Sequence, residues 1–352
     1  MTTKKSSPLT PHPSRLTIER KPLVVVVGPT AVGKSEAAIL LANALGTEVI
    51  TADSRQVYRG MDIGTDKPGP GERQGVPHRL IDLVEPDQPF NVGTYRRLAL
   101  AEIERLHQTG QVPLVVGGTG LYVRALIRGL WPGPSADWNF REWLAEEARL
   151  RGADHLHQKL ARVDPELAGR LHPHDQVKII RGLEVYHLLG RPLSDAHRRH
   201  RFAEAFCSPL LIGLNREREV LYRRVEARVE TQLAKGLVQE TRHLLEKGYG
   251  RHLGAMKGLG YRQIAGYLAG DYDYEEAVRR LKRDTRHFAK RQLTWFRKEP
   301  EITWLSIAEH ETSEQVAVRM MDCVTRFLSH LTTRSDSDAA VSRLAATKSA
   351  AR

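Results

Sequence analysis

The sequence predicts an α/β protein with a parallel sheet, a helical insertion domain and C-terminal helices. Leu23–Val27 is an unbroken apolar run, mostly β-branched, which is typical of a strand buried on both faces of a sheet. Strand-like and helix-like stretches alternate as far as residue 133, and such alternation favours parallel pairing. Only helical segments follow between residues 140 and 201, and a strand-like stretch returns at Pro209–Leu214. An insertion within one α/β core explains that order.

The first half of the chain supplies most of the predicted sheet. After Leu23–Val27, the helix formers of Ser35–Leu45 predict a helix, and Val92–Gln108 repeats apolar residues at helical spacing until Gly110 stops it. Short apolar runs predict strands at Glu48–Thr51, Leu80–Leu83 and Pro113–Val116, and a helix begins at Leu121.

The second half is mostly helical and rich in arginine. Breaks at Gly152, Pro165, Pro173 and Gly190 divide the insertion into segments. Beyond Pro209–Leu214 we predict helices at Glu217–Glu246, Tyr261–Leu268, Glu275–Arg297 and Ser313–Leu331, with a strand at Glu301–Leu305. The predicted organisation is a disordered arm at 1–20, a first core part at 21–135, the insertion at 136–204, a second core part with C-terminal helices at 205–331, and a disordered tail at 332–352.

The composition indicates a polyanionic partner. The 352 residues carry 54 Lys and Arg against 42 Asp and Glu, a net charge of +12. Nucleic acid or an acidic membrane fits this excess, although a solvated basic surface has the same composition. Cys207 and Cys323 form no CxxC or Cys/His cluster and fit free thiols in a reducing cytoplasm. No apolar run approaches the ~18 residues that span a bilayer, and the N-terminus lacks a secretory apolar segment. We therefore expect a cytoplasmic protein that does not associate with a membrane.

A phosphate-binding motif follows the first strand. GPTAVGKS fits G-x-x-x-x-G-K-[ST] in full and consists of Gly28, Pro29, Thr30, Ala31, Val32, Gly33, Lys34 and Ser35. Backbone amides and the helix dipole favour a polyphosphate there, Lys34 would neutralise its oxygens, and the Ser35 hydroxyl would ligate Mg²⁺. This P-loop predicts a P-loop NTPase-like core and leaves kinase, ATPase and GTPase chemistry open. No NKxD-like tetrapeptide is present, and Asp82 in RLIDL matches the acidic strand end of a motor ATPase only weakly.

Two further stretches place polar residues at strand ends. Asp53 follows a short strand, where a carboxylate could ligate metal or accept a proton, or Asp53 and Ser54 could cap a helix. The polar residues Thr65–Lys67 carry a similar ambiguity. In VVGGTGLYVRAL the glycines allow close approach by a ligand and Thr119 is placed to cap a helix, although a plain strand-to-helix turn fits equally.

Basic and aromatic residues interleave near the C-terminus. KGLGYRQIAGYL and KRQLTWFRK combine cations that fit phosphates with rings that can stack on bases. An amphipathic helix whose Trp295 or Phe296 packs in the core fits the second stretch as well.

Taken together, these stretches resemble the tRNA dimethylallyltransferase family, also called tRNA isopentenyltransferases. The matching segments are GPTAVGKS, ADSRQVYRGMDIGTDKP, PHRLIDL, VVGGTGLYVRAL, DQVKIIRGLEVY, GYRQ and KRQLTWFR, in family order across residues 22–305. The resemblance implies transfer of a dimethylallyl group from dimethylallyl diphosphate to the exocyclic amine of the adenosine 3′ to the anticodon, with release of diphosphate. It implies tRNAs that read codons beginning with U, bound through the anticodon stem-loop, and an enzyme that acts as a monomer.

The resemblance also implies residue roles. Asp53 would be the general base, while Thr30, Lys34 and Arg228 would act at the diphosphate, which the P-loop grips with Mg²⁺ on Ser35. The implied tRNA contacts are Asp53, Ser54, Arg55, Gln56, Thr119, Arg141, Lys178, Arg181, Lys257, Gly260, Tyr261, Arg262, Lys290, Arg291, Gln292, Trp295 and Arg297. One stretch departs from the family: bacterial members often read HPNDPQR where this chain reads HPHDQVK up to Lys178, so an arginine contact would become a lysine contact.

Three other functions share part of this pattern. A small-molecule kinase would explain the P-loop and the sheet but not the charge of +12 or the basic-aromatic helix. A nucleic-acid-binding ATPase would explain the charge without transferase chemistry. An adenylate dimethylallyltransferase would use the same donor on free nucleotides, and the insertion argues against it.

Overall fold

A computed structural model describes residues 21–200 and 206–350. The predicted disordered arm at 1–20 lies outside the described residues, as do 201–205 and the last two residues of the predicted tail. The described strands are β1 Pro22–Val27, β2 Val49–Ala52, β3 His78–Arg79, β4 Leu114–Gly117, β5 Ser208–Arg216 and β6 Ile302–Ile307. The described helices are α1 Lys34–Leu45, α2 Val92–Gln108, α3 Gly120–Arg128, α4 Trp138–Arg151, α5 Ala153–Val163, α6 Pro165–Ala168, α7 Gln176–Leu189, α8 Leu193–His200, α9 Arg218–Ala234, α10 Leu237–Glu246, α11 Tyr261–Leu268, α12 Tyr274–Phe296 and α13 Ser313–Ala350.

The strands form one parallel sheet in the order β3-β2-β4-β1-β5-β6. Strand β1 lies near its centre, between β4 and β5, and Leu23–Val27 are completely buried. Its alternate side chains face two cores, because successive residues of a strand point to opposite sides. One core holds Val24 and Val26 with α1 and α13, and the other holds Leu23, Val25 and Val27 with α2 and α3. The predicted parallel α/β core is confirmed.

Helices α4–α8 form the predicted helical insertion between α3 and β5. Their apolar faces pack around a small core of their own, which includes Leu144, Leu156, Leu160 and Ile179. A fourth cluster joins α9–α12 to the loop that follows β2, through residues such as Met61, Leu237 and Ile264. The C-terminal helices therefore cover the edge of the sheet at which β1, β2 and β4 end.

Three predicted elements differ in the structure. The strand expected at Leu80–Leu83 is found at His78–Arg79, because Leu80 and Asp82 adopt positive φ angles of 63° and 52° that break an extended chain. The helix expected over Glu217–Glu246 is two helices, since Gly236 has φ of +102°. The tail predicted to be disordered at 332–352 is the third element, and its described part has helical backbone. The backbone of α13 remains helical to Ala350, in a stretch rich in alanine, which has the highest helix propensity.

The sheet depends on close backbone approach at Gly117, which lies opposite Ala52 of β2. A Cβ atom at this position would lie 2.1 Å from the Ala52 carbonyl oxygen, and a backbone atom cannot rotate away. We therefore expect Gly117→Ala to lower the free energy of unfolding by about 3 kcal/mol, measured by urea denaturation. Gly71→Ala is the matched control, because no atom lies within 4 Å of its Cβ position. Equal stability of the two variants would contradict the close approach.

Candidate active site

The P-loop joins the end of β1 to the start of α1, and its two glycines fix the path of its backbone. Gly28 has φ of +153°, and a Cβ atom there would lie 2.6 Å from the Leu214 carbonyl oxygen of β5. Gly33 has φ of +105° immediately before Lys34 begins the helix. The loop therefore turns tightly and brings its residues to the positive end of the α1 dipole, which favours an anion.

Cationic side chains bind the carbonyl groups of this loop. Lys34 Nζ donates to the Pro29 oxygen at 2.7 Å, Arg224 Nε donates to the Ala31 oxygen at 2.9 Å, and Arg216 Nε donates to the Val32 oxygen at 3.1 Å. Sequence reasoning missed Arg216 and Arg224, because nothing near them in the sequence relates them to the P-loop. They stabilise the loop and add positive charge beside it.

Burial lowers the pKa of Lys34 to about 7, with a further contribution from the positive charge of Arg228. The carboxylates of Asp53 and Asp66 act in the opposite direction. Arg228 forms an ion pair with Asp66 at 3.1 Å, so the two predicted diphosphate ligands Lys34 and Arg228 lie in one electrostatic cluster.

Asp53 lies just beyond β2 and takes part in a local turn. Its Oδ1 atom accepts a hydrogen bond from the Arg55 amide at 2.8 Å. Turns and a single bridge residue follow, so the alternative that Asp53 and Ser54 cap a helix is wrong. The Ser54 amide instead donates to Thr119 Oγ1 at 3.0 Å. Thr119 precedes α3 as expected, but its side chain makes no capping bond to that helix and links the two loops instead.

The loop after β4 packs closely against α12, and the prediction that its glycines allow close approach by a ligand stays a prediction, since Gly117 and Gly118 also line the cleft. A Cβ atom on Gly118 would lie 2.3 Å from Gln292 Nε2, and one on Gly120 would lie 2.2 Å from the Trp295 ring. Gln292 is buried on α12, donates to the Gly118 oxygen at 2.9 Å and accepts from the Thr30 amide at 2.8 Å. Its side chain thus joins the P-loop to the β4–α3 loop, and its predicted contact with tRNA stays a prediction.

The polar residues Thr65–Lys67 separate into two environments. Thr65 and Asp66 line the cleft. Lys67 is buried and pairs with Asp62 at 2.6 Å and with Asp82 at 2.5 Å. Asp82 is therefore engaged by Lys67 and is not among the residues that line the cleft.

A cleft of about 350 Å³ brings most of the predicted residues together at the carboxyl ends of β1, β2 and β4. It is bordered by the P-loop, the segment after β2, the β4–α3 loop and helices α9, α11 and α12. The predicted residues that line it are Thr30, Lys34, Ser35, Asp53, Ser54, Arg55, Gln56, Thr119, Arg228, Lys257, Tyr261, Arg262, Arg291 and Gln292. Parallel strands end at one edge of a sheet, so residues far apart in sequence meet there.

Other predicted tRNA contacts lie elsewhere. Lys290 and Trp295 line a shallow groove on the outer face of α12 with His287, Thr294 and Lys298, and Arg297 is exposed at the end of that helix. Trp295 is 37 % exposed, whereas its neighbour Phe296 is buried in the core. Gly260 is buried where α11 begins.

In the insertion, two predicted tRNA contacts share one buried carboxylate. Arg141 Nε and Arg181 Nη1 donate to Glu184 at 2.8 and 2.5 Å, and the Asp137 amide donates to the same carboxylate at 2.7 Å. Lys178 is exposed and pairs with Asp175 at 2.5 Å. Glu184 therefore ties α4 and α7 together and fixes the directions of both arginines.

Comparisons with known proteins identify the family. The family model described as IPP transferase matches residues 56–299. This chain belongs to the IPP transferase family. It is 51 % identical over 287 residues to tRNA dimethylallyltransferase 2 of Geotalea uraniireducens, and the match covers 82 % of this chain and 93 % of that protein. It is 48 % identical over 306 residues to tRNA dimethylallyltransferase of Pelotomaculum thermopropionicum, and the match covers 87 % of this chain and 97 % of that protein.

Solved structures of IPP transferases share the fold. The full-length tRNA isopentenylpyrophosphate transferase from Bacillus halodurans is 37 % identical with a TM-score of 0.67, and the match covers 90 % of this chain and 99 % of that one. A eukaryotic dimethylallyltransferase described as acting on tRNA is 26 % identical with a TM-score of 0.75, covering 88 % and 80 % of the two chains. The predicted family is confirmed.

The lowered pKa of Lys34 predicts a pH-dependent stability. An unfolded lysine titrates near 10.5 and the folded Lys34 near 7, so between these values the unfolded chain binds more protons and stability rises with pH. We expect the native chain to gain free energy of unfolding relative to Lys34→Met between pH 6.5 and 9.5, measured by urea denaturation in phosphate-free buffer. Lys34→Arg is the control, because a guanidinium stays protonated and should show no such gain against Lys34→Met. A difference that is constant with pH in the native chain would contradict the lowered pKa.

Proposed function

We propose that this chain transfers the dimethylallyl group of dimethylallyl diphosphate to the exocyclic amine of the adenosine 3′ to the anticodon, in tRNAs that read codons beginning with U. The observation that carries the proposal is the shared cleft, in which Lys34 and Arg228 lie with Asp53. Cations that attract a diphosphate thus stand beside a carboxylate that can accept a proton. Membership of the IPP transferase family supports the same reaction.

These groups can accept the proton and stabilise the leaving group of the transfer reaction. The adenine amine attacks the first carbon of the allylic chain, the carbon–oxygen bond breaks, and diphosphate leaves with the electron pair. The proton of the amine passes to Asp53, and the negative charge that develops on the leaving group is stabilised by Lys34, Arg228 and the dipole of α1. Electrostatic stabilisation has its largest effect at that point, because the charge appears only as the bond breaks.

The donor set fits Mg²⁺. Ser35, which directly follows Lys34, is exposed at the start of α1 and borders the cleft. Within the described part of the chain, no three His, Cys, Asp or Glu side chains gather in a protein-only metal site. Mg²⁺ commonly takes few protein ligands and completes its shell with phosphate oxygens and water, so Ser35 would hold it against the diphosphate. When bound, the ion would neutralise charge on the leaving group.

The tRNA would lie across several basic surfaces. Lys257, Arg262 and Arg291 border the cleft, and Lys290 lies on the neighbouring groove of α12. These cations can bind backbone phosphates, while the partly exposed ring of Trp295 can stack on a base. The target adenine must leave the anticodon-loop stack to enter the cleft, which costs a few kcal/mol that phosphate contacts offset.

The proposal includes a monomeric enzyme in the cytoplasm, where tRNA is available. Among residues 21–200 and 206–350, no helix is both long and apolar enough to cross a bilayer.

Mass spectrometry of tRNA nucleosides tests the reaction directly. Purified protein is incubated with unmodified tRNA, Mg²⁺ and dimethylallyl diphosphate, and the expected product is dimethylallyl adenosine in the anticodon loop. Parallel incubations with AMP as acceptor and with labelled ATP address the other functions. Preferred transfer to AMP, or transfer of phosphate from ATP to a small acceptor, would contradict the proposal.

Replacement of Asp53 by Asn separates its base function from its structural one. Asn keeps the oxygen that accepts from the Arg55 amide but cannot take the proton. We expect turnover to fall by about 10²–10⁴-fold while tRNA binding changes little, measured by single-turnover kinetics and by filter binding. Asp87→Asn, at an exposed position, is the control and should leave both unchanged. Normal turnover of Asp53→Asn would assign Asp53 to the local turn alone.

A further inference from the structure

A short loop beside the cleft contributes a carboxylate to the charged cluster of Lys34 and Arg228. We call Met61–Asp66 the donor loop, because Gly64, Thr65 and Asp66 line the cleft and Asp66 pairs with Arg228 at 3.1 Å. The charges of Asp66 and Arg228 both act on Lys34. A displacement of this loop would therefore change the field that a diphosphate meets.

One carboxylate on a distant helix holds the donor loop. Glu240 of α10 accepts hydrogen bonds from three consecutive amides, those of Asp62 at 3.1 Å, Ile63 at 2.8 Å and Gly64 at 3.1 Å. Bonds from amides to a charged carboxylate are stronger than neutral ones. Gln232 of α9 adds a bond to the Ile63 oxygen at 3.0 Å. The backbone of the loop is thus fixed by side chains that follow it by more than 150 residues.

The same carboxylate also binds the start of α11. Tyr261, the first residue of α11, donates its hydroxyl to Glu240 Oε1 at 2.6 Å. Its ring packs so closely on Gly64 that a Cβ atom there would lie 2.5 Å away. Lys257 and Arg262, which flank Tyr261, line the cleft. Burial and the Glu240 charge raise the pKa of Tyr261, so its hydroxyl remains a donor.

We infer that Glu240 is a positioning residue that holds the donor loop and the start of α11 in one fixed arrangement. Through the donor loop it keeps Asp66 against Arg228, and through Tyr261 it keeps the segment around Lys257 and Arg262 at a set distance from that pair. The inference rests on the proposed function for the identity of the ligands. It assigns to Glu240 and Tyr261 no contact with substrate, so Tyr261 acts on tRNA binding only indirectly.

Binding of inorganic diphosphate tests the inference without relying on the transfer reaction. Isothermal titration with Mg²⁺ present compares the native chain with Glu240→Gln, Tyr261→Phe and the control Glu246→Gln, an exposed position on the same helix. Glu240→Gln loses the charge and two accepted hydrogen bonds, because each oxygen of Glu240 accepts two, and we expect binding to weaken by ~10-fold or more. Tyr261→Phe keeps the ring against Gly64 and should weaken binding by about two- to five-fold. The control should match the native chain.

A double-mutant cycle separates positioning from a general loss of stability. If Glu240 acts through the donor loop, the effect of Glu240→Gln should fall to about threefold or less when Asp66 is already replaced by Asn, because the loop then has no carboxylate to hold against Arg228. Diphosphate affinity unchanged in folded Glu240→Gln, or an undiminished effect in the Asp66→Asn background, would overturn the inference. If Glu240→Gln does not fold, native affinity in Tyr261→Phe would overturn it. Failure of the native chain to prenylate tRNA while it still binds diphosphate would instead count against the proposed function alone.

Discussion

The side-chain amide of Gln292 joins the two loops on which the site depends. It accepts from the Thr30 amide in the P-loop and donates to the Gly118 oxygen after β4, and it fits because Gly118 has no side chain. This contact places α12 across the end of the sheet, so that Arg291 borders the cleft while Trp295, one turn further, packs on Gly120. A buried amide with both ends satisfied is rigid and specific in its geometry, because misplacement leaves polar groups unpaired.

The chemistry of the site follows from an excess of positive charge, because three of its four cations donate to neutral carbonyl oxygens and one pairs with a carboxylate. Lys34, Arg216 and Arg224 each donate to a P-loop carbonyl group, and Arg228 pairs with Asp66. Carbonyl oxygens compensate a cation less fully than carboxylates do, so the cluster retains a positive field toward the cleft. Burial and the charge of Arg228 lower the pKa of Lys34, and the cluster suits a ligand that carries several negative charges.

The sequence was sufficient for features that depend on local pattern. The buried strand β1, the P-loop and the helix after it follow from consecutive residues, and the positions of Asp53 and Thr119 at strand ends follow from the rule that parallel strands end at one edge. Features that depend on distant partners could not be predicted. Nothing near Glu240 or Gln292 indicates which loops they bind, and the position of β3 depends on backbone turns at Leu80 and Asp82, where Lys67 binds the carboxylate of Asp82.

The central position of β1 has a consequence for how the chain folds as it is synthesised. Strand β1 is made before the other strands of the sheet, yet one of its two pairing edges is completed only by β5, after the whole insertion has been made. Helix α13, which covers α1, is made later still. A nascent chain of the first half therefore carries an unpaired, strongly apolar strand edge, the type of surface that aggregates or recruits chaperones. The phosphate-binding loop that follows β1 therefore acquires its contacts with Arg216, Arg224 and Gln292 only after those later segments have been made.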